Sequence, residues 1–108
     1  MDGLWTAEFG SSAGVFGGGV AVFREGKILG GDSLYYYVGE YNLTGNVLSA
    51  RLKISPFIEG AESVFKTVGR DLVLILTGSL VAEDRAIAQG HAEGMPQLNF
   101  GAKLTKRG

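Results

Sequence analysis

Along most of this chain, apolar and polar positions alternate. The clearest stretch is Val47 to Ile54, where Leu48, Ala50, Leu52 and Ile54 interleave with Val47, Ser49, Arg51 and Lys53. A period of two puts the first set on a buried face and the second toward water, which is the pattern of a half-buried β-strand. Leu4 to Phe9, Val15 to Phe23, Lys27 to Leu29, Ser33 to Tyr41, Asp71 to Leu80, Arg85 to Glu93 and Gln97 to Leu104 also read as strands. Asp71 to Leu80 is apolar enough for both of its faces to be partly buried. In Arg85 to Glu93, Ala86, Ala88, Gly90 and Ala92 lie on one side, and Ile87, Gln89, His91 and Glu93 on the other. The last strand turns Leu98, Phe100, Ala102 and Leu104 inward.

The intervening segments are rich in turn residues: Gly10-Ser11-Ser12-Ala13-Gly14, Arg24-Glu25-Gly26, Asn42-Leu43-Thr44-Gly45-Asn46, Glu83-Asp84 and Gly94-Met95-Pro96. Such spacing builds hairpins. Gly17-Gly18-Gly19 predicts a bulge or sharp bend within the second strand. Ser55-Pro56 predicts a break, with Ser55 capping a short helix and Pro56 in its first position. Gly60 limits that helix to a turn or two in a loop running to Arg70. About eight strands without a long helix predict an all-β fold, a small antiparallel barrel, closed or nearly so, over residues 1–108. Its interior is just wide enough for side chains or one small ligand. Trp5, Leu48, Leu52, Leu98 and Phe100 are the candidate core or ligand lining, together with Leu74 and Leu76.

Composition adds bounds. A chain of 108 residues is long enough for one domain. Its 18 glycines are more than twice the usual share of about 7%. The net charge of −1 gives no general attraction to nucleic acid or an anionic membrane. With no cysteine there is no disulfide and no thiolate metal site. Asp2 and Gly3 follow Met1 where a secretory signal would need basic and then apolar residues, and the apolar runs are far shorter than a spanning helix. A cytoplasmic protein without cofactor or metal is the expectation.

Candidate chemistry is sparse. Gly10-Ser11-Ser12-Ala13-Gly14 matches G-x-S-x-G, but a nucleophile elbow needs a helix after the serine, and a glycine-rich strand follows here. The glycines at 14 and 17–19 lead into β-branched Val20 and Val22, not into the helix that a phosphate loop requires. His91 is the lone histidine and sits between polar neighbours, so a triad or zinc site lacks partners. Glu8, Asp32, Glu40 and Glu93 are carboxylates that hairpins can bring together, and Asp32 is placed to bond backbone amides in its turn. Without a secretory signal, Asn42-Leu43-Thr44 reads as a turn and not as a glycosylation site. Tyr35-Tyr36-Tyr37 puts aromatics on both faces of one strand, so one face is core and the other is either plain strand surface, tyrosine being a favoured strand residue, or a subunit interface or binding surface. Tyr35 and Tyr37 are taken as the interface candidates.

Asp2-Gly3-Leu4-Trp5, Gly19-Val20-Ala21-Val22-Phe23, Gly26-Lys27-Ile28-Leu29-Gly30-Gly31-Asp32 and Tyr37-Val38-Gly39 occur in an order that resembles the GrlR family, which contains the negative regulator of type III secretion. The Gly30-Gly31-Asp32 turn carries the match most strongly, and the likeness is firmest from Asp2 to about Ile54. The resemblance implies a lipocalin-like β-barrel that forms a homodimer and acts by sequestering a protein partner, a transcriptional activator. The turn that matches the family's acidic contact loop, Asn42 to Asn46, carries no carboxylate here. The leading expectation is therefore a non-enzymatic regulatory or protein-interaction module. The alternative is a barrel that binds a small apolar molecule, favoured by the small residues Ala86, Ala88, Gly90 and Ala92. An enzyme comes last, for want of a convergent acid, base or nucleophile.

Overall fold

Eight antiparallel strands follow one another: β1 (Gly3–Ser11), β2 (Phe16–Arg24), β3 (Lys27–Gly31), β4 (Tyr35–Thr44), β5 (Val47–Pro56), β6 (Leu72–Ala82), β7 (Arg85–Ala92) and β8 (Met95–Lys106). Each pairs with the next, and β1 pairs with β8 from Trp5↔Lys106 to Ser11↔Phe100, so the sheet closes as an up-and-down barrel. This computed structural model describes every residue except Val64, and none of the described residues is helical. Closure leaves no long edge to pair with another chain.

Alternation along each strand sorts the side chains. Trp5, Phe23, Ile28, Leu48, Ala86 and Leu104 are buried together near one end. Tyr35, Tyr37, Ile54, Leu72, Leu74 and Ala92 are buried toward the other end, joined by Ala61 and Phe65 from the long β5–β6 connection. The β2–β3, β4–β5 and β6–β7 turns share the first end with the chain termini, and the β5–β6 connection of residues 57–71 crosses the second. Positive φ at Gly26, Gly45 and Gly94 forms three of the tight turns, a conformation that glycine adopts without penalty. At Gly90 a Cβ would lie 1.9 Å from the Ile75 carbonyl oxygen, so this close approach of β7 to β6 admits no side chain.

Three local expectations are corrected. Residues 17–19 form no bulge: their pairing with β1 runs unbroken from Gly10↔Phe16 to Gly3↔Phe23. Rings lie across those glycines instead, because a Cβ on Gly17 would meet Phe9 at 2.8 Å and one on Gly19 would meet the Tyr37 hydroxyl at 2.7 Å. Ser55 caps no helix, for β5 continues to Pro56, which pairs with Tyr35 at the strand end, where a missing N–H is tolerated. The connection after it makes a small hairpin-like loop with a Glu62↔Val68 bridge. The third strand extends past Leu29 to Gly31.

Trp5 is the largest fully buried side chain. Its indole N–H donates to the Met1 carbonyl at 2.9 Å, and its ring meets Phe23 edge-on at 6.0 Å. The aromatic area is thus buried without leaving an unpaired donor. Trp5→Ala is expected to cost about 3–5 kcal/mol in urea unfolding, and Ser49→Ala on the outer face less than about 0.5 kcal/mol. Equal midpoints for the two variants would contradict this account of the barrel end.

Candidate functional site

Between its two buried ends the barrel is hollow. The cavity holds about 360 Å³ and is mostly apolar. Its width comes from the inward positions at mid-barrel, where Ala7, Ala21, Ala50, Ala88 and Ala102 form a belt of methyl groups. Longer side chains at those positions would meet across an eight-stranded barrel. Phe23, Ile28, Leu48 and Leu104 make the floor, with Trp5 packed beneath them. Phe65 closes part of the roof, edge-on to Phe100 at 5.7 Å.

The Ser63 hydroxyl is one centre that ties the roof segment together. Ser63 Oγ accepts the amide hydrogens of Phe65 at 3.1 Å and Thr67 at 3.3 Å, and it pairs with Thr67 Oγ1 at 2.7 Å. Ser63 is itself buried, so these bonds are shielded from water and hold Phe65 in place.

The cavity reaches the surface on one side. β3 pairs with β2 only at residues 20–24, so residues 16–19 of β2 have a strand partner on the β1 side alone. Exposed Phe16, Gly17, Gly18, Ser33 and Glu62 line the opening, with Asp32 and Leu34 of the β3–β4 turn. Two adjacent glycines leave this part of the wall bare.

Tyr37 and Asp32 stand just inside that mouth. Asp32 Oδ1 accepts the amide hydrogens of Leu34 and Tyr35, each at 2.8 Å, which fixes the carboxylate and shapes the turn. Asp32 Oδ2 accepts the Tyr37 hydroxyl. Burial, and then the hydrogen bond and charge of Asp32, hold the Tyr37 hydroxyl protonated to well above the ordinary 10.0. Tyr35 is also shifted up, first by burial, and its hydroxyl donates to the Ala61 carbonyl at 3.2 Å.

Several predicted residues meet here and others do not. Leu48, Leu52 and Phe100 line the cavity; Trp5 lies under its floor, and Leu98 packs against the cluster at the roof end. Tyr35 and Tyr37 were expected at an interface, and this is corrected: they point inward, 3% and 9% exposed, whereas Tyr36 is 48% exposed. Period two puts Tyr36 on the same face as Glu40, and that charged residue gives the phase that would have identified the inner pair. Gly30 and Gly31 end β3, and Asp32 does bond the amides expected of it. Of the alanine belt, Ala50, Ala88 and Ala102 follow from the alternation, and Ala7 and Ala21 do not figure among the expected lining, although Ala21 is in phase with Phe23.

The remaining candidates are dispersed. Gly10 to Gly14 belong to a hairpin in which Ser11 N–H donates to the Val15 carbonyl. His91 sits on the outer surface between its cross-strand partners Ile75 and Asn99. Glu40 pairs with Lys27 at 3.1 Å, Glu93 pairs with Arg51, and Glu8 is exposed opposite Lys103, so these carboxylates do not join Asp32. Among the described residues no group of three or more histidine or carboxylate side chains is arranged to hold a metal ion.

No protein-family model matches the chain, and no curated protein does.

The Tyr37 shift links stability to pH. Its folded value lies above the ordinary 10.0 of an unfolded tyrosine, so the unfolded chain loses the proton first. The stabilisation is complete below about pH 10 and declines as pH rises through and beyond that value. Unfolding free energy measured at pH 9 and pH 11 is expected to fall less steeply in Tyr37→Phe than in the parent. Identical slopes would remove Tyr37 from this account.

Proposed function

We propose that this protein is a non-enzymatic binding barrel that holds one small apolar molecule in its interior. The observation that carries this reading is the cavity of about 360 Å³ behind a lateral mouth, bounded by alanine methyls where a filled barrel would have larger side chains. That volume falls within the usual range of ligand pockets, roughly 300–1,000 Å³. Its apolar lining holds water poorly and favours an apolar occupant.

Native mass spectrometry of protein purified gently from its own host is the direct test. A bound mass is expected on the parent chain and not on Ala50→Leu, which fills the cavity from its middle. Medium-chain apolar compounds should also raise the melting temperature of the parent and leave Ala50→Leu unchanged. A parent chain without adduct, whose melting temperature no such compound moves, would sink the reading.

A second reading, a homodimeric interaction module of the GrlR type, is supported by the outer face of β1–β4. Leu4, Val22, Leu29 and Val38 stand directly opposite one another across the four strands, and all are exposed. Val20 and Tyr36 lie one row above, separated by Gly31. Below runs a charged row in which Lys27 pairs with Glu40. An apolar strip with a charged rim fits a self-complementary two-fold contact, and the interface expected of the tyrosine strand would then fall to Tyr36. On this reading the parent elutes as a dimer in light-scattering chromatography and Leu29→Glu as a monomer of unchanged fold. A monomeric parent at high micromolar concentration would rule the dimer out.

A further inference from the structure

We propose that the cavity selects apolar molecules whose head carries a hydrogen-bond donor, such as a medium-chain alcohol, over molecules of equal size whose head only accepts. The inference rests on the reading that the cavity binds a ligand, and it concerns which chemistry the mouth will take.

Inside the mouth, the direction of the hydrogen bonds at the Tyr37–Asp32 pair decides this. A carboxylate accepts and has no proton to give. Asp32 is locked by two backbone amides on Oδ1, so Oδ2 is held toward Tyr37 and the Tyr37 hydroxyl must donate to it. That proton is therefore committed, and the oxygen of Tyr37 offers the cavity lone pairs alone. Tyr35 is committed in the same sense, because its hydroxyl donates to the Ala61 carbonyl at 3.2 Å. Glu62, at the rim, is another acceptor. Ser33 is exposed at the rim, and its hydroxyl can either donate or accept.

An alcohol entering head-last would place its O–H at Tyr37 and satisfy both oxygens. An ether or ketone would bring an acceptor against an acceptor and lose its bond to water without replacement, a loss that burial makes costly. A fatty carboxylate would add like charge beside Asp32. Size sets the rest of the class. At about 30 Å³ per water-sized group, 360 Å³ admits about a dozen non-hydrogen atoms.

The experiment compares 1-decanol with its isomer 1-methoxynonane, two neutral molecules of one formula, by calorimetric titration of the full chain. The parent is expected to bind decanol about fivefold or more tighter, the ratio that one net hydrogen bond gives. Asp32→Asn supplies the inverse case. Its carbonyl keeps the two amide bonds, its NH2 group donates to Tyr37, and the tyrosine proton is released toward the cavity, so the preference should fall to parity or reverse. Should that variant not fold, the pair of titrations on the parent still decides. Equal affinity for the two isomers overturns the donor rule while leaving the binding barrel standing. Failure of both isomers and of n-decane to bind overturns both.

Discussion

The pairing of β1 with β8 is the constraint on which the rest depends. Once Trp5↔Lys106 through Ser11↔Phe100 is made, the sheet is a ring of eight strands and its interior width is set. Side-chain size then decides what is solid and what is hollow. Trp5, Phe23, Ile28 and Leu48 fill one end, Tyr35, Tyr37, Phe65 and Leu72 the other, and alanines hold the middle open. Protein interiors are normally packed to crystal-like density, and unfilled volume is destabilising, at ~24 cal/mol per Å³ in measured core cavities. A void of this size is the space that the proposed occupant would fill.

The strands were legible because period two is a local property. Leu48, Ala50, Leu52 and Ile54 read inward from sequence and are inward in the barrel, and the same holds for Ala86, Ala88 and Ala92. Long-range features were not legible. Nothing near Gly17 to Gly19 announces that rings from Phe9 and Tyr37 will cross them, since Tyr37 is contributed by β4. Ser55-Pro56 carries a local helix-start signal that the pairing of Pro56 with Tyr35 overrides. The loop that roofs the cavity has no periodicity, so the inward turn of Ala61 and Phe65 was invisible until the strands around them were placed.

The wall formed by β2, β3 and β4 has two roles at once. Its outer surface presents Val20, Val22, Leu29 and Val38, and its inner surface presents Tyr37 against Gly19, with Asp32 at its rim. Alternation keeps these sets apart at single-residue resolution: Tyr36 faces water, and both of its neighbours face the core. A contact made outside and a molecule held inside would therefore press on the same few backbone segments, with a thickness of one strand between them.

The ring has one more consequence, for the order of folding. Seven of the eight strand pairings join neighbours in the chain, and the eighth joins the first strand to the last. Neighbouring hairpins can form while the chain is still largely extended, on the microsecond scale of such elements. The seam between β1 and β8 must wait, because bringing its ends together costs the closure entropy of nearly the whole chain. Until it forms, β1 and β8 are bare edges, open to pairing with another molecule. The step that creates the cavity is therefore also the one that ends the chain's exposure to aggregation.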